Sequence, residues 1–434
     1  MKTKGLFLLC FFAVATAFGQ DKKIELEDIY GRGTFRAESV RGVRWMNDGR
    51  YYSARQGRDV VKIDVATGDV AETIVKGSDL DPSINWMSYE FSTDEQQMLF
   101  MTDFESIYRR SFKANYYVYD LETKELRPLS EGGKQSYATF SPDGNRVAFA
   151  RDNNLFYVDL ATMEEAQVTD DGKFNHIING STDWVYEEEF GFAKAFFWSP
   201  DGNRLAFYTF DESEVKEYNM QVWNDKELYP VDYRFKYPKA GEDNSVVKIS
   251  VYDLKTKETT SMDIGQETDI YIPRVQWTQD SDLLSIRRMD RLQQQLEIIH
   301  ADAETGEGEV VLTEESDTYV DINYCDNLAY LENGRRFVRT SEKDGYKHIY
   351  LHKMNGKLVR QVTKGNWEVT EYVGLDQDEK RFYYISTEES PLERHFYSIH
   401  MKGKDKQKLS SEKGTNSVNM SPDFSLYLNY HSSI

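Results

Sequence analysis

Short apolar runs separated by clusters of turn-forming residues recur along almost the whole chain. Some runs are wholly apolar, as in Val147-Ala148-Phe149-Ala150 and Leu205-Ala206-Phe207. Others mix aromatic and β-branched residues and end in an Asp, with a Thr three residues further on. Examples are Tyr116-Tyr117-Val118-Tyr119-Asp120, Leu155-Phe156-Tyr157-Val158-Asp159 and Ile249-Ser250-Val251-Tyr252-Asp253. Runs of this length, bounded by turn residues and rich in Val, Ile, Tyr and Phe, predict strands and hairpins.

The hairpins repeat. The clearest unit reads aromatic-Ser-Pro-Asp-Gly, at Phe140 to Gly144 and at Trp198 to Gly202. Weaker copies start at Trp45, Phe91, Trp277, Tyr330, Leu375 and Met420, so successive spacings are 46, 49, 58, 79, 53, 45 and 45 residues. Pro and Asp-Gly supply the turn geometry, with Gly free to take positive φ. A second hairpin follows most units, and two hairpins per repeat of this length make one propeller blade. A β-sandwich also strings hairpins together, but a doubled hairpin at a fixed period disfavours it. The expected fold is all-β, an eight-bladed β-propeller with the eighth blade incomplete. The unit at Met420 has room for one hairpin before Ile434, unless the stretch from Ile24 to Val40 adds strands. We expect the segment from Met420 onward to lack strands of its own, as in a truncated chain.

Composition adds to this picture. Aromatics make up 14% of the chain, which suits pleated, half-buried surfaces. The formal net charge is −21. An acidic chain repels phosphate backbones, so nucleic acid is not an expected partner, whereas a cationic ligand is attracted. Most of this charge serves solubility. Residues 1–19 read as a signal peptide: Lys2 and Lys4, an apolar run from Leu6 to Val14, and Ala17-Phe18-Gly19 before Gln20. That run is too short for a membrane span, and the expected destination is secretion to a bacterial periplasm. Removing the leader removes two lysines (−21 − 2 = −23) and Cys10, leaving Cys325 with no internal disulfide partner.

Two spacings are long, and insertions in a propeller project from one rim. The first contains Asp183-Trp184-Val185-Tyr186-Glu187-Glu188-Glu189-Phe190. Thr182 or Asp183 can cap a short helix here. Adjacent carboxylates repel one another, so the cluster reads either as a solvated acidic turn or as a cation site walled by aromatics. The second long spacing contains an aromatic-rich arm from Trp223 to Pro238, readable as a disordered loop or as a surface that packs on a second subunit.

On these residues the chain resembles the dipeptidyl peptidase IV family of secreted serine exopeptidases. The stretch from Asp183 to Glu189 resembles the family's glutamate motif, whose last two glutamates clamp the α-amino group of a peptide; by position these are Glu188 and Glu189. Tyr108-Arg109-Arg110-Ser111-Phe112 resembles its arginine segment, whose first arginine binds a substrate carbonyl and helps place the glutamates, which points to Arg109. The arm ending Tyr237-Pro238-Lys239-Ala240-Gly241 is similar to the family's dimerisation arm, implying a homodimer. Gly345-Tyr346-Lys347-His348-Ile349 and Lys364-Gly365-Asn366-Trp367 resemble late blades. A family aromatic aligns near Arg336-Phe337, but neither residue is assigned to the site. The resemblance covers residues 20–434 as the family's N-terminal propeller domain and implies release of N-terminal dipeptides, of X-Pro or X-Ala type.

The chemistry of cleavage has no counterpart in the chain. A Gly-x-Ser-x-Gly elbow needs two glycines four residues apart, and no pair has that spacing. No catalytic triad, cofactor fingerprint or zinc spacing is found, and His348 and His352 read as surface or packing residues on a strand. No catalytic residue, metal or cofactor is therefore assigned. Two functions stay open: the substrate-recognition and gating propeller of a dipeptidyl peptidase whose α/β-hydrolase domain is missing here, or a free-standing periplasmic propeller that binds proteins.

Overall fold

The computed structural model describes residues 23–36 and 40–433; the leader assigned to residues 1–19 lies outside them. Two compact units divide at residue 41. The first carries one helical turn, Glu27–Gly31, in which Arg32 pairs with buried Asp28 at 3.0 Å. No strand occurs among its described residues.

The second unit is built from antiparallel sheets. Seven sheets of four or five strands follow one another over residues 44–75, 88–128, 136–167, 177–261, 270–315, 328–361 and 369–408. Six of them are plain four-stranded meanders in chain order. This is an all-β propeller with seven blades, and the expected count of eight is corrected to seven. Beyond them the unit at Met420 forms a two-stranded hairpin, Thr415–Met420 with Tyr427–Ser432. The expectation that this segment lacks strands is also corrected. Its turn closes on local bonds and needs no outer strands: Ser421 N–H donates to Leu426 O at 2.9 Å and Ser421 Oγ to Asp423 Oδ1 at 2.6 Å.

That turn is the repeat made visible. The same pair of bonds forms at Ser199, where the N–H donates to Arg204 O at 2.9 Å and Oγ to Asp201 Oδ1 at 2.6 Å, and equivalent bonds form at Ser141. Gly144 and Gly202 sit at φ of 73° and 71°, the left-handed region that the Asp-Gly pair permits. Pro142 and Pro200 therefore occupy equivalent turns of the third and fourth blades.

Burial follows the position of a strand in its blade. In the third blade Val147 pairs with Val158 and Phe149 with Phe156, and the middle strands are almost wholly buried. Neighbouring blades cover both of their faces, which is why these runs are continuously apolar. The last strand of the seventh blade, Lys404–Lys408, is exposed and mostly charged.

Blades are joined by the leading aromatics. Trp198 donates its indole N–H to Thr139 O of the preceding blade at 3.2 Å, and Trp277 donates to Phe197 O at 3.0 Å. Trp45 of the first blade donates to Asn419 Oδ1 of the final hairpin at 2.6 Å.

The fourth blade carries both insertions. Ile177–Asn179 and Phe196–Trp198 pair with the same strand, Arg204–Asp211. The chain thus leaves the sheet after Asn179 and returns to its edge at Phe196. Thr182 N–H to Ala193 O at 3.1 Å and Ala195 N–H to Gly180 O at 3.1 Å pin the base of this excursion. Between the strands Arg204–Asp211 and Val246–Asp253 rises a hairpin, Glu217–Val222 with Val231–Lys236.

Candidate functional site

The excursion holds a single turn of α-helix, Trp184–Glu188, and its sequence explains why it forms. Asp183 is the N-cap: its Oδ1 accepts Tyr186 N–H at 2.9 Å. Its Oδ2 accepts Ser245 Oγ–H at 2.6 Å. Tyr186 fixes the buried face. Its ring packs against Phe190 and Phe210, and its hydroxyl accepts Ile272 N–H at 2.7 Å. Burial raises the Asp183 carboxyl above its ordinary range, against the hydrogen bonds from Ser245 and backbone amides, and holds the Tyr186 phenol well above 10.

The three glutamates fan out because successive helical residues are rotated by about 100°. Glu187 is buried, and its Oε1 accepts the backbone N–H of Arg110 at 2.6 Å and of Ser111 at 2.8 Å. Glu188, the last residue of the turn, pairs with Arg109 Nε at 3.0 Å through Oε2 and 3.3 Å through Oε1. Glu189 is the C-cap and is exposed. Its carbonyl accepts Asn323 Nδ2–H at 2.7 Å, and no ion pair reaches its carboxylate among the described residues. The repulsion anticipated for the triplet is relieved by sending the Glu187 and Glu188 carboxylates to different neighbours and leaving that of Glu189 exposed.

Arg109 comes from the second blade, at the tip of the hairpin joining Gln97–Ser106 to Phe112–Asp120. Its side chain is 70% exposed, so its guanidinium keeps donors free for a ligand. The base of the arm closes on the same place. Trp184 lies 4.1 Å from Tyr237 and Tyr108 lies 5.9 Å from Phe235, ring to ring.

Two spaces flank the helical turn. A groove of about 700 Å³ is lined by Trp184, Glu189, Phe190, Tyr237 and Arg291, and Glu189 opens into it. A cavity of about 360 Å³ is lined by Asp183, Glu187, Glu212, Tyr137 and Lys236. Glu212 is buried there and its carboxyl is pushed up to about 7, first by burial and then by the Asp183 charge.

Sequence reasoning brought forward Arg109, Glu188 and Glu189; the structure pairs Arg109 with Glu188 and sets Glu189 at the end of the same helical turn. It missed Glu187 and Glu212. The first Glu of the triplet carries no spacing signal of its own, and Glu212 follows an ordinary strand. Of the residues near the aligned aromatic, Phe337 is fully buried and stacks on His352 at 5.2 Å. His348 and His352 are both buried, so the packing reading is correct and the surface one is not; His348 bonds to Thr363 and Gly365, and His352 to Gly356. Among the described residues one group has the composition of a metal site, Glu389, Glu393 and His395. It is satisfied internally: Lys408 Nζ lies 2.8 Å from Glu389, and His395 Nε2 lies 2.7 Å from Glu393.

Comparison with known proteins identifies the family. The sequence profile of the dipeptidyl peptidase IV N-terminal region matches residues 92–434. The chain belongs to this family. The dipeptidyl peptidase 4 of Trichophyton rubrum is 29% identical over 400 residues, covering 88% of this chain and 50% of that protein. A probable dipeptidyl peptidase 4 of Emericella nidulans is 32% identical over 381 residues, 83% of this chain and 48% of that one. The crystal structure of Porphyromonas gingivalis dipeptidyl peptidase 4 superposes with a TM-score of 0.89 at 40% identity, over 95% of this chain and 59% of that chain. The dipeptidyl peptidase IV N-terminal region described here thus spans about half the length of the curated relatives it matches. Among its described residues no helix is long and apolar enough to cross a membrane.

Proposed function

We propose that this chain is the substrate-recognition and gating half of an exported serine-type dipeptidyl peptidase that releases X-Pro or X-Ala dipeptides. The peptide's free ammonium is held by Glu188 and Glu189, and Arg109 takes a substrate carbonyl. The observation that carries this reading is the Arg109–Glu188 pair, which joins the second blade to the fourth-blade insertion and leaves Glu189 open beside it. Anchoring the ammonium fixes how far the scissile bond lies from the clamp, which is the physical basis of exopeptidase specificity. Cleavage itself falls to an α/β-hydrolase domain outside this chain, and the arm serves a homodimer. Asn419 precedes its turn by the same step as Thr139 and Phe197, so the Trp45–Asn419 bond ties the first blade to the final hairpin as the other two bonds tie successive blades.

The test uses Glu188→Gln and Glu189→Gln in the full-length protein, with a free-amine dipeptide chromogen and its N-acetylated control. A charge-assisted hydrogen bond contributes about 1.5–3 kcal/mol, so each change lowers kcat/KM by roughly ten- to a hundredfold. The acetylated control is cleaved poorly by every form. Mutants that keep the wild-type preference for a free amine would remove the clamp. The alternative, a protein-binding propeller without peptidase function, requires wild type to cleave neither substrate.

A further inference from the structure

We infer that Glu187, the first glutamate of the triplet, is a positioning residue that staples the arginine segment to the helical turn and thereby places Arg109; this rests on the clamp reading above.

Glu187 is unsuited to hold a ligand in the groove. It is 1% exposed, and its Oε1 already accepts two N–H groups, from Arg110 at 2.6 Å and Ser111 at 2.8 Å. A carboxylate buried to that degree is stable only when hydrogen-bonded, and these two amides provide the bonds. Their residues directly follow Arg109 in the chain.

The connection is reciprocal. Arg110 Nη1 donates to Glu187 O at 2.8 Å, so side chain meets backbone in both directions across the two elements. Ser111 then closes the tip of its own hairpin: its Oγ accepts Tyr108 N–H at 3.0 Å, and its N–H group is the one held by Glu187. Both flanks of Arg109 are therefore fixed, one by Ser111 acting on Tyr108 and the other by Glu187 acting on Arg110.

Arg109 needs this support because its own side chain is mostly in solvent. A solvent-exposed ion pair contributes little, so the Arg109–Glu188 contact cannot by itself hold a hairpin tip against a separate blade. The buried Glu187 bonds supply that fixation. The triplet thus divides its work: the buried glutamate sets the frame, and its two successors face the ligand. Moving Arg109 by even an ångström would misplace the carbonyl contact while leaving the glutamates in place.

The experiment compares Glu187→Ala, Glu187→Gln and Arg110→Met. Hydrogen exchange is read on the present chain, and kinetics on the full-length protein. Glu187→Ala is expected to speed amide exchange at Arg110 and Ser111 by about tenfold or more, since each amide loses a charge-assisted bond. The strand Phe112–Asp120 stays protected. In the kinetics, Glu187→Ala raises KM for the free-amine chromogen by about tenfold with a smaller change in kcat. Glu187→Gln retains an acceptor oxygen and restores most of both readouts, which a loss of charge alone would not allow. Arg110→Met weakens the same joint from the other side and serves if Glu187→Ala fails to fold.

Unchanged exchange at Arg110 and Ser111 in both Glu187→Ala and Arg110→Met would overturn the staple. So would an unchanged KM in a protein where Arg109→Ala is impaired. If Glu188→Gln and Arg109→Ala leave peptide turnover untouched while exchange still rises in Glu187→Ala, the clamp reading fails and the staple stands.

Discussion

Replacing Glu212 by Gln should stabilise the protein at alkaline pH and do little at acid pH. Glu212 is 5% exposed and lines the cavity behind the helical turn with Asp183, Glu187 and Lys236. Burial is the main reason its carboxyl titrates at about 7 in place of 4.5; Asp183 and Asp211 add repulsion, and Lys236 opposes them. Lys236 compensates only partly because its ammonium already serves Val215 O at 2.7 Å and Ser213 O at 3.1 Å. The sign follows from the proton count. Between the two values the folded state keeps a proton that the unfolded state has lost, so stability falls as pH rises through this window. Integrated from pH 5 to pH 8, an acid moved from 4.5 to about 7 removes about 2.5 kcal/mol. Gln is isosteric and does not titrate. Asp183 shifts in the same direction but is present in both proteins. Urea unfolding followed by tryptophan fluorescence at both pH values measures the effect. The stability gap between variant and wild type should widen by about 2.5 kcal/mol from pH 5 to pH 8. A gap that stays flat or narrows with rising pH refutes the argument.

Further tests address the isolated thiol and the arm. Cys325 is buried, and desolvation followed by the Glu342 charge pushes its thiol up to about 12. It should resist a disulfide exchange reagent at pH 8 in the native protein and react fully in urea; rapid native reaction would show that the site opens. Trp223, Leu228 and Tyr229 are exposed at 66%, 90% and 82% at the far end of the arm, while Phe235 at its base is buried. The far end is therefore free to meet a partner, and the base is not. Deleting residues 223–230 should turn a full-length dimer into a monomer in sedimentation, whereas an unchanged dimer would assign assembly elsewhere.

What the sequence determined by itself was whatever rests on local chemistry. The Ser-Pro-Asp turn closes through bonds between residues two to five apart, at Ser141, Ser199 and Ser421 alike, so its repetition and the all-β propeller were legible. Asp183 as an N-cap is equally local, a side chain meeting an amide three residues on. The last strands of the blades were harder to read, since charged runs such as Lys404–Lys408 pair through backbone and bury little. The blade count went astray because spacing counts turns, and a turn forms whether or not four strands follow it.

The tertiary structure alone decided what each glutamate touches. Glu187, Glu188 and Glu189 are chemically identical neighbours, and nothing in their spacing separates them. Their contacts differ because the hairpin tip of the second blade, 77 residues away from Glu187 in sequence, brings the amide of Arg110 against one and the guanidinium of Arg109 against the next. The same holds for Glu212: its shifted titration comes from the burial and the Asp183 charge that folding imposes on it. Desolvation and charge proximity are properties of the assembled cavity, and they exist only once the blades have packed.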